Sequence, residues 1–223
     1  MSIADNLLRV RERISAAAER AGRDSRDIVL VAVTKTVDAA AIEEAIGAGV
    51  TDIGENYVQD SVAKYDIIGG GVRWHMIGHL QRNKTGHATR IFDLIQSVDN
   101  LPLAREIGKR ASSIGKAQDV LIEVNVSGEE TKTGVAPDEA LGLVAEAIRV
   151  PGVRVLGMMG IAPFTDDEAA IRRSFSLLRN IWEELPVENR KWLSMGMTSD
   201  FEAAIEEGSN MVRIGTAIFG PRR

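Results

Sequence analysis

The sequence predicts a closed (β/α)8 barrel, and three observations support that prediction. The chain has 223 residues, which is close to the usual length of this fold. Eight short apolar runs alternate with amphipathic helical segments, and such alternation predicts parallel strands joined by right-handed crossovers. The first run leads into "TKTVD", which lacks the glycine fingerprint of a doubly wound open sheet. A closed barrel is therefore favoured over the open sheet.

The elements follow one another regularly along the chain. Apolar residues at helical spacing from Ile3 to Ala17 indicate an opening helix, and Ser2 with Asp5 has the pattern of a capping box. The eight predicted strands are Ile28–Thr34, Asp52–Glu55, Arg73–Ile77, Leu94–Ser97, Val120–Val126, Val153–Met158, Lys191–Met195 and Met211–Ile214. Helical patterns such as "AAAIEEAIGAG" and "DEALGLVAEAIR" lie between them. Because no linker or low-complexity stretch divides the chain, we expect one domain over residues 1–223.

Composition and charge exclude several classes of function. Lys and Arg total 27 against 32 Asp and Glu, and the net charge of −5 argues against nucleic acid as a partner. The chain has no cysteine, which excludes disulfides and thiolate metal sites. Asp5, Arg9 and Arg11 interrupt the segment where a signal peptide would be apolar, and no apolar run is long enough to span a membrane. We therefore expect a cytoplasmic protein that binds neither nucleic acid nor membrane.

The first strand ends at a lysine. In "DIVLVAVTKTVD" six of the seven residues from Ile28 to Thr34 are apolar, and Lys35 follows them directly. Lys35 is either a solvated residue at the barrel rim or the reactive group at the mouth of a site. The fold favours the second interpretation, because active sites of (β/α)8 barrels form at the carboxyl ends of the strands. Other strand ends deliver Asn56, His75 and Ser97 to the same place.

The loops after strands seven and eight have the pattern of an anion site. "SMGMTSDFEAAI" places Ser194, Gly196 and Thr198 at a strand-to-helix turn, and "RIGTAIFG" supplies Gly215 and Thr216 at a second turn. Free N–H groups and the helix dipole attract anions at such turns, and this fold frequently binds phosphate at these two loops. The alternative is that the hydroxyls only cap the following helices. Two turns on the two expected strands favour phosphate binding.

A phosphate site beside a lysine indicates a ligand with both a phosphate and a carbonyl group. Lysine attacks a carbonyl only as the uncharged amine, so its pKa of about 10.4 has to be lowered by burial or by a nearby cation. Arg213 is the candidate cation. Two ligands meet these requirements, pyridoxal 5′-phosphate and the sugar phosphate of a Schiff-base aldolase.

Seven motifs spread over the chain resemble one family. They are "AVTKTV", "GENYVQ", "WHMIGHLQRNK", "EVNVSGEETKTG", "GMMGIAP", "LSMGMTSDFEAAI" and "VRIGTAIFG". They resemble the pyridoxal phosphate homeostasis protein family, single-domain relatives of the alanine racemase N-terminal barrel, which is fold type III of pyridoxal-phosphate proteins. The resemblance implies a covalent aldimine of the cofactor on Lys35, with Arg213 facing the pyridine nitrogen. It assigns the phosphate to Ser194, Gly196, Thr198, Gly215 and Thr216, and the ring to Asn56, His75 and Ser97.

The resemblance also implies a carrier or regulator in vitamin B6 and amino-acid homeostasis, with apo-enzymes that use pyridoxal phosphate as recipients. Alanine racemases add a second domain and a tyrosine from the partner subunit. We expect neither here, because the chain ends at "FGPRR" and Tyr57 and Tyr65 fall on a helical segment. For the same reason we expect a monomer without strong catalysis. The alternatives are a racemase of low activity and a Schiff-base aldolase, which would need Glu55 or Glu123 as its proton shuttle.

Two further features have competing interpretations. His75 and His79 suggest a metal site, but Gly78 separates their side chains and the HExxH pattern is absent, so we expect no metal. The polar loop Ser127–Gly134 after the fifth strand is either a solvated connection or a mobile rim over the cofactor. The sequence does not favour one of these two interpretations.

Overall fold

Eight parallel strands close into a barrel in the computed structural model, which describes residues 2–129 and 132–221. The strands are β1 Val29–Val33, β2 Asp52–Glu55, β3 Arg73–Met76, β4 Leu94–Val98, β5 Gln118–Val124, β6 Val153–Gly160, β7 Trp192–Ser194 and β8 Met211–Ile214. Each strand pairs with the next one in sequence, and β8 returns to β1, with Val29 opposite Met211. The predicted (β/α)8 barrel is therefore confirmed.

Nine α-helices among the described residues accompany the strands. They are α1 Ile3–Arg20, α2 Ala39–Gly47, α3 Val58–Ile68, α4 Thr85–Ile91, α5 Leu101–Ser113, α6 Ala140–Ala147, α7 Glu168–Glu183, α8 Phe201–Glu206 and α9 Thr216–Phe219. Short 3₁₀ helices lie at Ser25–Asp27, Arg82–Lys84 and Val187–Asn189. Within the described ranges, no helix combines the length and the apolar composition that crossing a bilayer requires.

All eight predicted strands are present, and where their ends differ from the prediction the shift is one or two residues. The start of β5 shows the reason for such shifts. Its first residue, Gln118, is polar, so the apolar pattern begins only at Val120. In the barrel Gln118 is buried, and its side-chain amide donates to the carbonyl oxygens of Phe92 and Asp93 at 3.2 and 3.1 Å.

Helix α1 precedes the first strand and covers the place where the barrel closes. Its predicted capping box is present, because Ser2 Oγ accepts a hydrogen bond from Asp5 N and the Asp5 carboxylate accepts one from Ser2 N, both at 3.1 Å. The buried residues of α1 run from Leu7 to Ala18, and the helix packs on α8 and α9. Asn6 Nδ2 donates to Ile218 O of α9 at 2.9 Å. Helix α1 thereby joins the last elements of the barrel to the first.

Strand side chains divide between two cores. The interior of the barrel holds an apolar cluster of Val31, Leu94, Leu121, Leu156, Met159 and Met211. A larger core lies between strands and helices, and its fully buried members include Trp74, Phe92, Phe175 and Phe201. Because successive side chains of a strand point to opposite faces, each strand turns one face to the interior and the other to the helices. A polar residue at an interior position therefore requires a separate explanation.

Strands β6 and β7 approach each other closely at Gly157, which pairs with Trp192. The φ angle of Gly157 is +147°, and a Cβ atom there would lie 1.9 Å from the carbonyl oxygen of Trp192. No side chain fits between two backbones at that separation, so glycine is required at this position.

We expect Gly157→Ala to lower the free energy of unfolding by about 2–4 kcal/mol. The added methyl group would displace the Trp192 backbone, and the φ of this position is disfavoured for alanine. Gly142→Ala is the matched control, since a Cβ atom at this position in α6 would have no neighbour within 4 Å. It should gain about 0.5–1 kcal/mol, because alanine loses less conformational entropy in a helix. Urea unfolding followed by circular dichroism measures both, and equal effects would contradict the close approach of β6 and β7.

Candidate functional site

Lys35 lies at the mouth of the barrel, directly after β1. Val31 belongs to the interior cluster and Val33 lines the same cavity as Lys35, so the alternation of β1 directs the lysine toward the mouth. The Lys35 residue is half-buried. This position agrees with a site residue better than with a solvated rim residue, and the reactivity of the amine stays a prediction.

A strained turn holds Lys35. Val37 N donates to Thr34 O at 3.0 Å, which closes a β-turn with Lys35 and Thr36 at its centre. Thr36 has a φ of +64°, and no other non-glycine residue in the part of the chain that the structure describes has a positive φ. A β-branched residue in this conformation costs about 1–2 kcal/mol, and glycine or asparagine is its usual occupant. Strain of this kind is common beside functional groups.

A buried ion pair supports this turn from behind. Lys64 of α3 donates to Glu55 Oε1 and to Thr34 O, each at 2.7 Å, and Thr34 Oγ1 donates to the same Glu55 oxygen at 2.6 Å. The side chains of Glu55 and Lys64 are 0% and 13% exposed. Breaking such a pair leaves a buried charge without compensation, so the pair fixes the position of the turn. Glu55 therefore faces Lys64 of α3 and not the barrel mouth.

One cavity joins Lys35 to the loop after β8. Its volume is about 350 Å³, and Val33, Lys35, Thr36, Gly215 and Thr216 line it together with residues of α1, α2 and α9. A Cβ atom at Gly215 would lie 3.2 Å from the Cβ of Val33, so the glycine permits the close approach of the two segments. The structure therefore brings together three of the predicted site residues, Lys35, Gly215 and Thr216.

The loop after β7 is shaped by a glycine and an aspartate. Gly196 has a φ of +96°, and a Cβ atom there would lie 2.6 Å from a side chain of α8. Asp200 Oδ1 accepts a hydrogen bond from Met197 N at 2.6 Å, and the half-buried Thr198 lies between these two residues. Burial raises the pKa of Asp200, and the Met197 N–H opposes that rise. Sequence reasoning missed Asp200, although an aspartate just before a helix is a common capping signal.

Helices α8 and α9, which follow these two loops, have only six and four residues. The helix dipole that the sequence suggested at both turns is correspondingly small. The groups that these turns offer to an anion are their N–H groups and the hydroxyls of Thr198 and Thr216.

Arg213 is buried inside the barrel, with 3% of its surface exposed. Its Nη1 donates to Ser194 Oγ at 2.6 Å, and its Nη2 donates to Gly160 O at 2.9 Å. Burial lowers the pKa of Arg213 to about 10, and the charges of Asp200 and Glu123 limit that fall. The guanidinium is therefore charged at neutral pH, and it is a fixed positive group within the barrel.

His75 and Ser194 both belong to a polar part of the interior. His75 is hydrogen-bonded on both ring nitrogens, because Nε2 contacts Asp52 Oδ1 and Nδ1 contacts Gln96 Nε2, each at 2.9 Å. Gln96 Oε1 accepts a hydrogen bond from Ser194 Oγ at 2.6 Å. Sequence reasoning missed Gln96, although the alternation in "LIQSV" places it on the same face as Leu94, an interior residue. Direct contacts of His75 and Ser194 with a ligand stay predictions.

Four buried polar atoms at the carboxyl ends of strands have no hydrogen-bond partner among the described residues. One is Glu55 Oε2, in the ion pair behind the lysine turn, and the others are Asn56 Oδ1, Ser97 Oγ and Glu123 Oε2. The backbone of Asn56 is fixed by packing, because a Cβ atom at Gly78 would lie 2.5 Å from its carbonyl oxygen. Buried polar atoms without partners are uncommon, and a polar ligand is one way to satisfy them.

The loop Ser127–Gly134 is tied to the end of β5 in its described part. Asn125 Nδ2 donates to the carbonyl oxygen of Glu129 at 2.9 Å and to that of Lys132 at 3.3 Å. Residues 130 and 131 lie outside the described residues. The loop is therefore connected to a strand end at the mouth, and its role as a rim over a ligand stays a prediction.

Glu123 is a buried carboxyl on the interior side of β5, since Leu121, two residues earlier, belongs to the interior cluster. Its Oε1 accepts a hydrogen bond from Thr133 Oγ1 at 2.6 Å. Burial raises the pKa of Glu123, and the hydrogen bond from Thr133 opposes that rise. The folded protein therefore favours the protonated form of this carboxyl more than the unfolded chain does.

A raised carboxyl pKa contributes stability at acidic pH that is lost as the pH rises through the folded-state pKa. Glu123→Gln removes this titration and keeps an acceptor for Thr133, so we expect the variant to gain stability relative to the wild type as the pH rises above the ordinary glutamate pKa of about 4.3. Thermal melting at pH values below and above this pKa is the measurement, with Glu146→Gln on the exposed surface of α6 as control. The same pH profile in both variants would contradict the buried titration of Glu123.

The chain is similar over its full length to proteins of one family. The family described as "Alanine racemase, N-terminal domain" matches residues 6–223. A "Pyridoxal phosphate homeostasis protein" from Aquifex aeolicus is 44% identical over 227 residues, which cover 100% of both chains. A protein of the same name from Pseudomonas aeruginosa is 42% identical, and the match covers 99% of this chain and 96% of that one.

A solved structure with the same fold adds to these similarities. PipY from Synechococcus elongatus, in a structure with PLP bound, has 31% identity and a TM-score of 0.85, covering 98% of this chain and 100% of that chain. The resemblance inferred from the sequence motifs is confirmed, and the barrel is of the alanine racemase N-terminal type. The chain belongs to the pyridoxal phosphate homeostasis protein family.

Proposed function

We propose that the protein binds pyridoxal 5′-phosphate covalently through Lys35 and acts as a carrier or regulator in vitamin B6 and amino-acid homeostasis. The observation that carries the proposal is the cavity that Lys35 shares with Gly215 and Thr216. One end of the cavity offers an amine for an aldehyde, and the other offers donors for a phosphate. Membership in the family supports the proposal, since PipY has been solved with this cofactor.

The residues at the mouth fit the functional groups of the cofactor. The cofactor supplies an aldehyde, and its condensation with the Lys35 amine releases water and gives the aldimine. The phosphate contacts that we propose are Gly196, Thr198, Gly215 and Thr216. Asn56 and Ser97, whose buried oxygens have no partner within the described ranges, line the ring. Arg213 faces the ring nitrogen.

Ser194 and His75 act through their neighbours in this proposal. The Ser194 hydroxyl donates to Gln96 and accepts from Arg213, so a bond from Ser194 to a phosphate would require its O–H to leave Gln96. Both ring nitrogens of His75 are likewise engaged. We therefore assign to Ser194 and His75 the task of orienting Arg213.

The arrangement favours a carrier over a racemase, because racemisation at Cα needs a base on one face and an acid on the other. Tyr57 is 61% exposed at the start of α3, and Tyr65 packs its ring against Trp74 with a centroid distance of 5.4 Å. Neither tyrosine side chain therefore lies inside the barrel. Arg213, charged opposite the ring nitrogen, disfavours protonation of that nitrogen and weakens the cofactor as an electron sink.

A racemase of low activity is the second candidate, and Glu123 is the observation that favours it. This interior carboxyl has a pKa raised by burial, so it holds a proton closer to neutral pH than an ordinary glutamate does. The aldolase alternative loses its other candidate shuttle, because Glu55 is paired with Lys64 behind the lysine turn.

A carrier also needs a route for its cargo. Thr36 and Asp38 line the Lys35 cavity and are exposed, so the cavity opens to the surface beside the lysine. The proposal includes exchange of the cofactor through this opening with apo-enzymes that require it. It further includes a monomeric protein acting in the cytoplasm.

Borohydride reduction of the cofactor-loaded protein, followed by peptide mapping, tests the covalent assignment. We expect the reduced label on Lys35 in the wild type and loss of the aldimine in Lys35→Ala, with the fold retained because the lysine follows the strand and does not pack in the core. Lys109→Ala, at an exposed lysine of α5, should keep the label on Lys35. Label on Lys84 or Lys132 in the wild type would refute the assignment.

Two measurements separate the carrier from the racemase. We expect bound cofactor to transfer to an apo-enzyme, and we expect interconversion of D- and L-amino acids to be a trace, because neither tyrosine lies inside the barrel to act as the second proton-transfer group. Turnover near an ordinary enzymatic rate, on the order of 10 per second, would overturn the carrier assignment. Failure to exchange cofactor would remove the proposed role while leaving binding intact.

A further inference from the structure

Five buried polar side chains form a continuous chain of hydrogen bonds across the barrel interior. They are Asp52 on β2, His75 on β3, Gln96 on β4, Ser194 on β7 and Arg213 on β8. The four successive links measure 2.9, 2.9, 2.6 and 2.6 Å between donor and acceptor atoms. All five residues are at most 3% exposed. The chain therefore connects a carboxylate with the guanidinium through three neutral groups.

The two charged ends determine the direction of every bond between them. Arg213 can only donate, so Ser194 Oγ accepts from it and turns its own O–H toward Gln96 Oε1. Gln96 then presents its amide N–H to His75 Nδ1, and the ring proton lies on Nε2, where Asp52 accepts it. The reversed amide would place its oxygen against Nδ1, which would then have to carry a proton. With the amide in the orientation that the structure shows, every bond runs in one direction, from Arg213 to Asp52.

The surroundings of Asp52, at the carboxylate end of the hydrogen-bond chain, favour its charged form. Burial alone would raise the pKa of Asp52, but hydrogen bonds from His75, Arg73 and Thr51 outweigh burial and lower it. A buried anion and a buried cation are thus joined through polarised neutral groups, an arrangement that stabilises both ends. Removing a middle member would leave donors and acceptors on both sides unsatisfied.

Gln96 is the member on which the orientation of the site depends. Its amide is held at three points, because Nε2 also donates to Met211 Sδ at 3.2 Å. We propose that Gln96, with His75 and Asp52 behind it, is a positioning residue that fixes the Ser194 hydroxyl and aims the Arg213 guanidinium at the bound cofactor. This inference rests on the proposed function. In this inference His75 acts at a distance from the cofactor ring, whereas the family resemblance implies that His75 contacts that ring directly.

The test compares two buried glutamines. Gln96→Met keeps the approximate side-chain volume and removes every hydrogen bond of the amide. Gln118→Met makes the same change at the start of β5, where the glutamine is not part of the hydrogen-bond chain. Both variants should lose stability as apoproteins. Only Gln96→Met should bind pyridoxal 5′-phosphate about tenfold more weakly, with a shifted absorbance maximum of the bound cofactor, because the Ser194 hydroxyl that accepts from Arg213 is no longer held in place.

The outcomes separate this inference from the proposed function. If wild type and Gln118→Met bind the cofactor and Gln96→Met matches them in affinity and spectrum, the positioning role is refuted while the proposed function stands. If the wild type fails to bind the cofactor, the proposed function itself fails. A weakened and spectrally shifted Gln96→Met beside a normal Gln118→Met supports the inference.

A second measurement requires neither a variant nor the cofactor. Long-range ¹H–¹⁵N spectra of the ¹⁵N-histidine-labelled wild type report the protonation of each ring nitrogen. The hydrogen-bond chain from Arg213 to Asp52 requires His75 to be neutral at pH 7, with its proton on Nε2 and an acceptor at Nδ1. A proton on Nδ1, in either the other tautomer or the imidazolium, would refute the one-way chain even if Gln96→Met did not fold.

Discussion

A positive charge buried inside the barrel is the constraint on which the interior depends. The Arg213 guanidinium cannot be satisfied by apolar packing, so the surrounding strands have to supply acceptors and negative charge. Gly160 supplies a carbonyl oxygen from the end of β6, and Ser194 supplies a hydroxyl from β7. These acceptors lie on the strands next to the two loops that we assign to a phosphate. Positive charge and anion-binding loops thus share one side of the mouth.

The adjoining part of the mouth, at the end of β1, is organised by backbone geometry. Lys35 stands in a turn whose next residue, Thr36, has a disfavoured φ, and the buried pair of Glu55 and Lys64 holds that turn in place. The stability of the ion pair offsets the strain of the turn. The amine and the guanidinium therefore have fixed positions for different reasons, one through a clamped turn and the other through a chain of interior hydrogen bonds.

The fold and part of the site could be predicted from the sequence, because buried parallel strands need short apolar runs and the barrel places strand ends together. Lys35, Gly215 and Thr216 follow from that rule. The alternation from Leu94 places Gln96 on the interior face, but the orientation of Ser97 could not be predicted in this way, since β4 carries a register irregularity between Ile95 and Val98. The contact of Lys64 with Thr34 joins a helix to a strand end, and such a distance is decided by packing and not by local pattern.

The pairing of β8 with β1 has a consequence for assembly. The Lys35 cavity is built from the first strand and the last, so it exists only after the two ends of the sheet have met. Contacts between such distant segments carry the largest loop-closure entropy and form slowly. A ligand in this cavity recognises only the closed ring, and by mass action it draws the population toward closure. Occupancy of the cavity is thereby coupled to the completion of folding.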